Sequence, residues 1–149
     1  MSDATIRQAV GGMPCPEYEN LAFQPSPTLS DATVAVVTTA GLRHDDDPGW
    51  KPEDPSFRVF EVDDRALKLG HLSPNFDRSG FAADINVVYP VDRLSELADQ
   101  GIIGSVAPRH ISFMGAQNDT MEAIRMDSGP AMAKALKEDG VDLVLLTPV

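Results

Sequence analysis

Cysteine is nearly missing from this chain. Cys15 stands alone, so no disulfide can close within the chain and no zinc cage of several thiolates can form. Basic residues are also scarce: 12 Lys and Arg stand against 23 Asp and Glu, a formal net charge of −11. A chain this acidic is unsuited to a phosphate backbone or an anionic membrane, so neither nucleic acid nor membrane is expected as a partner. No apolar run approaches the roughly 20 residues of a membrane span. The start, MSDATIRQAVGGMP, has no basic segment followed by an apolar stretch, the mark of a secretory signal. A cytoplasmic protein is expected. The G-x-G-x-x-G and Walker patterns are absent too, which leaves a nucleotide site without support.

What is present suffices for one domain. The 149 residues are 42% apolar, enough to bury a real core. Residues 1–32 read as an amino-terminal arm: a short polar segment, then a stretch in which Pro14, Pro16, Pro25 and Pro27 forbid a long helix, with Tyr18, Leu21 and Phe23 as anchors. Residues 33–149 read as the α/β domain.

Within it, Thr33-Val-Ala-Val-Val-Thr-Thr39 is short, continuously apolar and β-branched, the pattern of a strand buried on both faces. Ser56–Glu61 alternates, like a strand with one wet face, and Ile85–Tyr89 reads as a short strand. Val91, Leu94 and Leu97 form a helical stripe that Pro90 opens and Gly101 stops. His110–Met114 reads as a weak strand. Asn118 or Asp119 caps a helix through Met121, Ile124 and Met126, which Gly129-Pro130 interrupts before helix resumes to Gly140. Val141–Thr147 is a second buried-strand signal. Apolar strands with amphipathic helices between them give an α/β class with a parallel sheet, three-layered and doubly wound in the flavodoxin-like manner. Ligands in such sheets sit beyond the carboxyl ends of the strands. Here Val141–Thr147 delivers that end and the sequence stops, so the expectation is half of a larger doubly wound domain.

The densest polar patch runs from Gly70 to Asn86 and holds His71, Asp77, Arg78, Asp84 and Asn86. A histidine near carboxylates can move protons near neutrality, with a carboxylate fixing its tautomer. The plainer alternative is that Asn, Asp and Ser here build turns. His110 can converge with His71, although a lone histidine at a strand start is more often structural. A metal-assisted hydrolase using His71, His110 and Asp84 is a weaker reading, because no standard ligand spacing supports it and no metal is expected. The acidic run after His44 reads as a solvated loop. Thr38, Thr39 and Gly41 end a buried strand, where small residues admit a ligand to the backbone.

At these residues the chain resembles a known family. Val34-Ala-Val-Val-Thr-Thr-Ala-Gly-Leu42, Gly70-His71 with Asp77, Asp84-Ile-Asn86-Val-Val-Tyr-Pro90-Val-Asp-Arg-Leu94, Gly101-x-Ile-Gly104 and Asp139-Gly-Val-Asp-Leu-Val-Leu-Leu-Thr-Pro148 are similar to the selenoprotein B family of glycine, sarcosine and betaine reductase and of D-proline reductase. The resemblance implies an oxidoreductase in which a selenocysteine, or a cysteine in variants, attacks the carbon bearing an amine and cleaves the C–N bond reductively. An ionised, polarisable chalcogenide is the effective nucleophile for that step. It implies a small amino acid or amine as substrate, partner redox subunits and a pyruvoyl-bearing partner subunit that activates the amine. A homo-oligomer is compatible with it. By residue-to-residue match, His71 is expected as proton donor or substrate ligand, with Asp84 orienting it or holding an ammonium. Thr38, Thr39, Gly41, Asp77, Asn86 and His110 are expected to line the substrate pocket. The family's redox residue follows the strand that matches Val141–Pro148. No such residue is in this chain, so a selenocysteine codon is expected just after Val149, and the chain alone is expected to be inactive. The competing reading is a non-catalytic α/β binding paralogue, complete at this length.

Overall fold

The computed structural model of the chain describes residues 3–12, 24–74 and 76–149. Cys15 and the expected anchors Tyr18, Leu21 and Phe23 lie outside the described residues. The elements are α1 (Asp3–Gly11), β1 (Thr33–Thr38), β2 (Leu42–Arg43), β3 (Phe57–Glu61), β4 (Lys68–Leu69), α2 (Ser79–Ala83), α3 (Val91–Asp99), β5 (Ser105–Val106), β6 (Arg109–Phe113), α4 (Gly129–Glu138) and β7 (Leu143–Thr147).

β1 is the axis of a mostly parallel sheet. On one side it pairs with β7 from Val34↔Leu143 to Thr38↔Thr147. On the other it pairs first with β5 and then with β6, both parallel. β3 closes the far side of β6 and runs antiparallel to it. The alternation of β1 explains why its run is apolar throughout. Val34 and Val36 pack with Val91 and Leu94 of α3, whereas Ala35 and Val37 pack with Leu136 of α4. Helices therefore cover both faces of the strand, which makes a three-layer α/β fold.

Three expectations change. Among the described residues β7 pairs only with β1, and Val144, Leu145 and Leu146 are 40%, 40% and 66% exposed, so these residues do not supply the burial expected of it. An apolar run reports what a strand can bury, not whether a neighbour arrives to cover it. Ile85–Tyr89 is not a strand but a 3₁₀ turn at Ile85–Val87, because the Asp84 carboxylate accepts the Asn86 N–H and draws the backbone into a local turn. Gly129-Pro130 does not break the helix. The turn widens instead, with a π segment at Ile124–Ser128 in which the Gly129 N–H donates to the Ile124 carbonyl, and Pro130 falls in the first turn of α4, where its missing N–H costs nothing. A side chain at 129 would meet that carbonyl at 2.6 Å. The stop of α3 at Gly101 is as expected, with φ at +69° and the Ile102 N–H returning to the Leu97 carbonyl.

Candidate active site

The carboxyl ends of β1, β6 and β7 lie side by side, and the segments that follow them build one pocket. After β1 the chain turns at Gly41, with φ at +63°. The Gly41 carbonyl accepts two hydrogen bonds, from the Trp50 indole N–H at 2.7 Å and from the Gly70 N–H at 2.8 Å. These bonds, with the short β2–β4 ladder, deliver His71 to the end of the sheet.

His71 is 6% exposed. Its Nδ1 accepts the Ser73 N–H at 3.2 Å, and its ring stacks on Phe76 with centroids 4.7 Å apart. Arg78 holds the loop by donating to the His71 carbonyl at 2.7 Å. Burial, and then the nearby Arg78 guanidinium, lowers the His71 pKa below 6.5. The imidazole is therefore neutral at pH 7. With Nδ1 engaged as an acceptor, the proton resides on Nε2, and that buried N–H has no partner among the described residues. Phe76, Asp77, Gly115 and Val149 line, with His71, an open cavity of about 260 Å³. Val149 is held there by Thr39, whose hydroxyl accepts the Val149 N–H at 2.8 Å and donates to its carbonyl at 3.2 Å.

The expected site residues thus divide. Asp77 lines the pocket with His71, and Thr39 acts beside it by holding Val149. Gly41 supports it from behind, and the Thr38 hydroxyl, fully buried, ties β1 to β7 by donating to the Thr147 carbonyl at 3.3 Å. Asp77 is exposed, and its carboxylate accepts the Ser79 hydroxyl and N–H, which lowers its pKa.

Asp84 does not orient His71. Ser73 does so, while the Asp84 carboxylate accepts both N–H groups offered by Asn86, which lower its pKa. Asn86 is a spacer between turn and helix, since its Oδ1 accepts the Asp92 N–H in the first turn of α3.

His110 does not converge with His71. It is fully buried within the sheet. Between the pairs Val34↔Val106 and Val37↔Ile111, β1 advances three residues and its neighbour five. The bulge leaves the Val36 N–H without a carbonyl, and His110 Nδ1 accepts it at 3.0 Å. The ring meets Tyr89 edge-on at 5.6 Å. Burial, with a smaller contribution from Arg65, drives the His110 pKa down to about 4. Among the described residues no three His, Cys, Asp or Glu side chains gather as a metal cage, and His71, His110 and Asp84 occupy three different environments.

Sequence reasoning missed Gly115, Phe76 and the Ser73 N–H. Gly115 follows β6 as Gly41 follows β1, so the rule that ligands lie beyond strand ends was signal enough for it. Ser73 acts through its backbone and leaves no such trace.

No helix among the described residues is long and apolar enough to cross a membrane. No solved structure matches the chain. The family profile described as glycine/sarcosine/betaine reductase selenoprotein B matches residues 10–149. The chain is 36% identical to the D-proline reductase subunit gamma of Acetoanaerobium sticklandii, over 99% of this chain and 62% of that one. It is 31% identical to the betaine reductase complex component B subunit beta of Peptoclostridium acidaminophilum, over 91% of this chain and 32% of the relative. The corresponding sarcosine reductase subunit of the same organism is 28% identical, over 90% and 32%. The chain therefore spans less than two thirds of the first relative and about a third of the other two. Its ordered motifs, its three-layer α/β fold and this match over nearly the whole chain place it in one group: the chain belongs to the glycine/sarcosine/betaine reductase selenoprotein B family.

Proposed function

We propose that this chain is the substrate-binding part of a selenocysteine- or cysteine-dependent reductase that cleaves the C–N bond of a small amino acid or amine. One observation carries the reading: a buried, neutral histidine whose Nε2–H has no partner among the described residues lines a cavity with Val149, at the carboxyl end of β7. Family membership supports it, since the relatives are named as subunits of D-proline, betaine and sarcosine reductases.

In this reading the position after Val149 carries the selenocysteine or cysteine. When present, that residue supplies the nucleophile for the carbon that bears the amine. The residues of this chain bind and orient. His71 donates a hydrogen bond from Nε2 to an acceptor atom of the substrate. It is a ligand rather than a proton donor, because a neutral imidazole whose Nδ1 is already bonded has no labile second proton to give. Thr39 fixes the backbone of Val149 and so sets where the next residue stands relative to the ring. Asp77, ionised at neutral pH, offers the pocket a negative charge for an ammonium. Partner redox subunits, and a pyruvoyl-bearing subunit that activates the amine, complete the system.

The test is to sequence the gene beyond codon 149 and to express the whole frame with ⁷⁵Se. An in-frame selenocysteine or cysteine codon, followed by further coding sequence, is the expected result. A frame without either at that position overturns the reductase reading and leaves a binding paralogue.

A further inference from the structure

We infer that Arg78 is a positioning residue for His71, a single guanidinium that holds the two groups of the loop that grip the imidazole. The inference rests on the reading of His71 as a substrate ligand and adds the residue that keeps the ring in place.

The loop grips the imidazole at two points. The Ser73 N–H donates to Nδ1 at 3.2 Å, and the Phe76 ring stacks on its face with centroids 4.7 Å apart. Arg78 reaches both residues and His71 itself. Its Nη2 donates to the His71 carbonyl at 2.7 Å and to the Ser73 carbonyl at 3.3 Å, and its Nη1 donates to the Phe76 carbonyl at 3.1 Å. The guanidinium carbon also lies 5.8 Å from the centre of the Phe76 ring. β4 ends at Leu69 and α2 begins at Ser79, so neither strand nor helix fixes His71, Ser73 or Phe76. Hydrogen bonds from a charged donor do so instead.

The charge of Arg78 is left standing. The chain has 23 acidic residues against 12 basic ones, yet among the described residues no carboxylate comes within ion-pair distance of Arg78. The carboxylate of its neighbour Asp77, which lines the cavity with His71, is taken by the Ser79 hydroxyl and N–H. The positive charge of Arg78 therefore acts on His71, where it adds to burial in disfavouring the imidazolium. A lysine could supply this charge but not the grip. Its ammonium is a point donor on a flexible stem, whereas the planar fork of arginine meets several carbonyls at once.

The test uses the complete reading frame of the protein, with ¹⁵N-labelled histidine and NMR of the imidazoles. In the wild type His71 should show one tautomer, protonated at Nε2. Arg78→Lys keeps the charge and loses the fork, and both tautomers should appear. Arg78→Gln loses the charge as well, and the pH midpoint of His71 should rise above that of Arg78→Lys. Arg93→Gln removes a charge from an exposed pair with Glu96 and should leave the His71 signals unaltered. Unaltered His71 signals in both Arg78 variants overturn the inference, as does a midpoint that falls in Arg78→Gln. Should the Arg78 variants fail to fold, the wild type decides. Its Arg78 Nη protons should exchange with solvent about tenfold or more slowly than those of free arginine, and equal rates end the proposal. Turnover then separates this inference from the substrate reading. In the complete protein, Arg78→Lys should lower kcat/KM by about tenfold. On a His71→Ala background the same change should cost less than about twofold, because Arg78 acts through His71. Equal losses on both backgrounds overturn the inference. If His71→Ala itself leaves kcat/KM unchanged, the substrate reading of His71 fails, while the tautomer measurement still decides whether Arg78 positions the ring.

Discussion

The two buried histidines, His71 and His110, share nearly every local property and differ in one. Both rings accept a backbone N–H at Nδ1, both leave Nε2 without a partner among the described residues, and burial lowers both pKa values. His110 plugs a bulge inside the sheet, edge-on to Tyr89, where nothing can reach it. His71 stands past the ends of the strands, at the wall of a cavity. The lesson is that a neutral, tautomer-locked imidazole plugs a sheet in one place and, in the function proposed, binds a ligand in another. Access, not pKa, separates the two roles.

That contrast can be broken most forcefully at His110. His110→Ala should destabilise the protein by about 3 kcal/mol, since it opens a cavity and orphans the Val36 N–H, whereas His71→Ala should cost about 1 kcal/mol. Urea unfolding of both variants measures this, and a His110→Ala loss below that of His71→Ala contradicts the assignment.

The pH dependence should follow His110 as well. Its folded pKa of about 4 lies below the ordinary 6.5, so the unfolded chain binds more protons between those values. Its contribution is complete above about pH 6.5 and is lost as the pH falls towards 4, on the order of 3 kcal/mol. The depressed carboxylates Asp45, Asp54, Asp77 and Asp84 start from an ordinary value of 3.8, so their losses come mainly below this window. His71 adds a smaller loss of the same sign. His110→Gln should flatten the slope of stability from pH 7 to 4 and His71→Gln should barely change it, as pH-resolved denaturation would show.

Activity should reverse the ranking. In the complete frame, His71→Ala should weaken substrate use by about tenfold or more, the worth of one hydrogen bond to a charged group. If kcat/KM is unchanged, His71 is only a second plug. Among the neighbours the effects shrink. Asn86→Ala should cost about 1 kcal/mol of stability through the lost contact with the start of α3, leaving kcat/KM intact. Asp84→Asn should change kcat/KM by less than about twofold. A drop as large as that of His71→Ala would return Asp84 to the site.

Much of the frame was legible in the sequence. β1 could be read from its β-branched, uninterrupted run because helices do cover both of its faces, and α3 from the stripe of Val91, Leu94 and Leu97 between Pro90 and Gly101. Ile85–Tyr89 misled because its apolar letters say nothing of the Asp84 carboxylate that folds it into a turn. The site was half legible. His71 and Asp77 line one cavity and Thr39 holds Val149 beside it, but Asp84 and Asn86 serve the turn and helix next to them. Their residue types suit either role, and only their partners distinguish the two.

The sequence by itself determined the acidic, cysteine-poor character of the chain, its α/β class, its central strand and its family, because composition, hydrophobic period and ordered motifs are local properties. Only the tertiary structure decided that β7 pairs in parallel with β1, that His110 closes a bulge, and that His71 lines a cavity with Gly115 and Val149. Each of those outcomes depends on which residues distant in the chain come to lie side by side, and a local pattern carries no record of its neighbours.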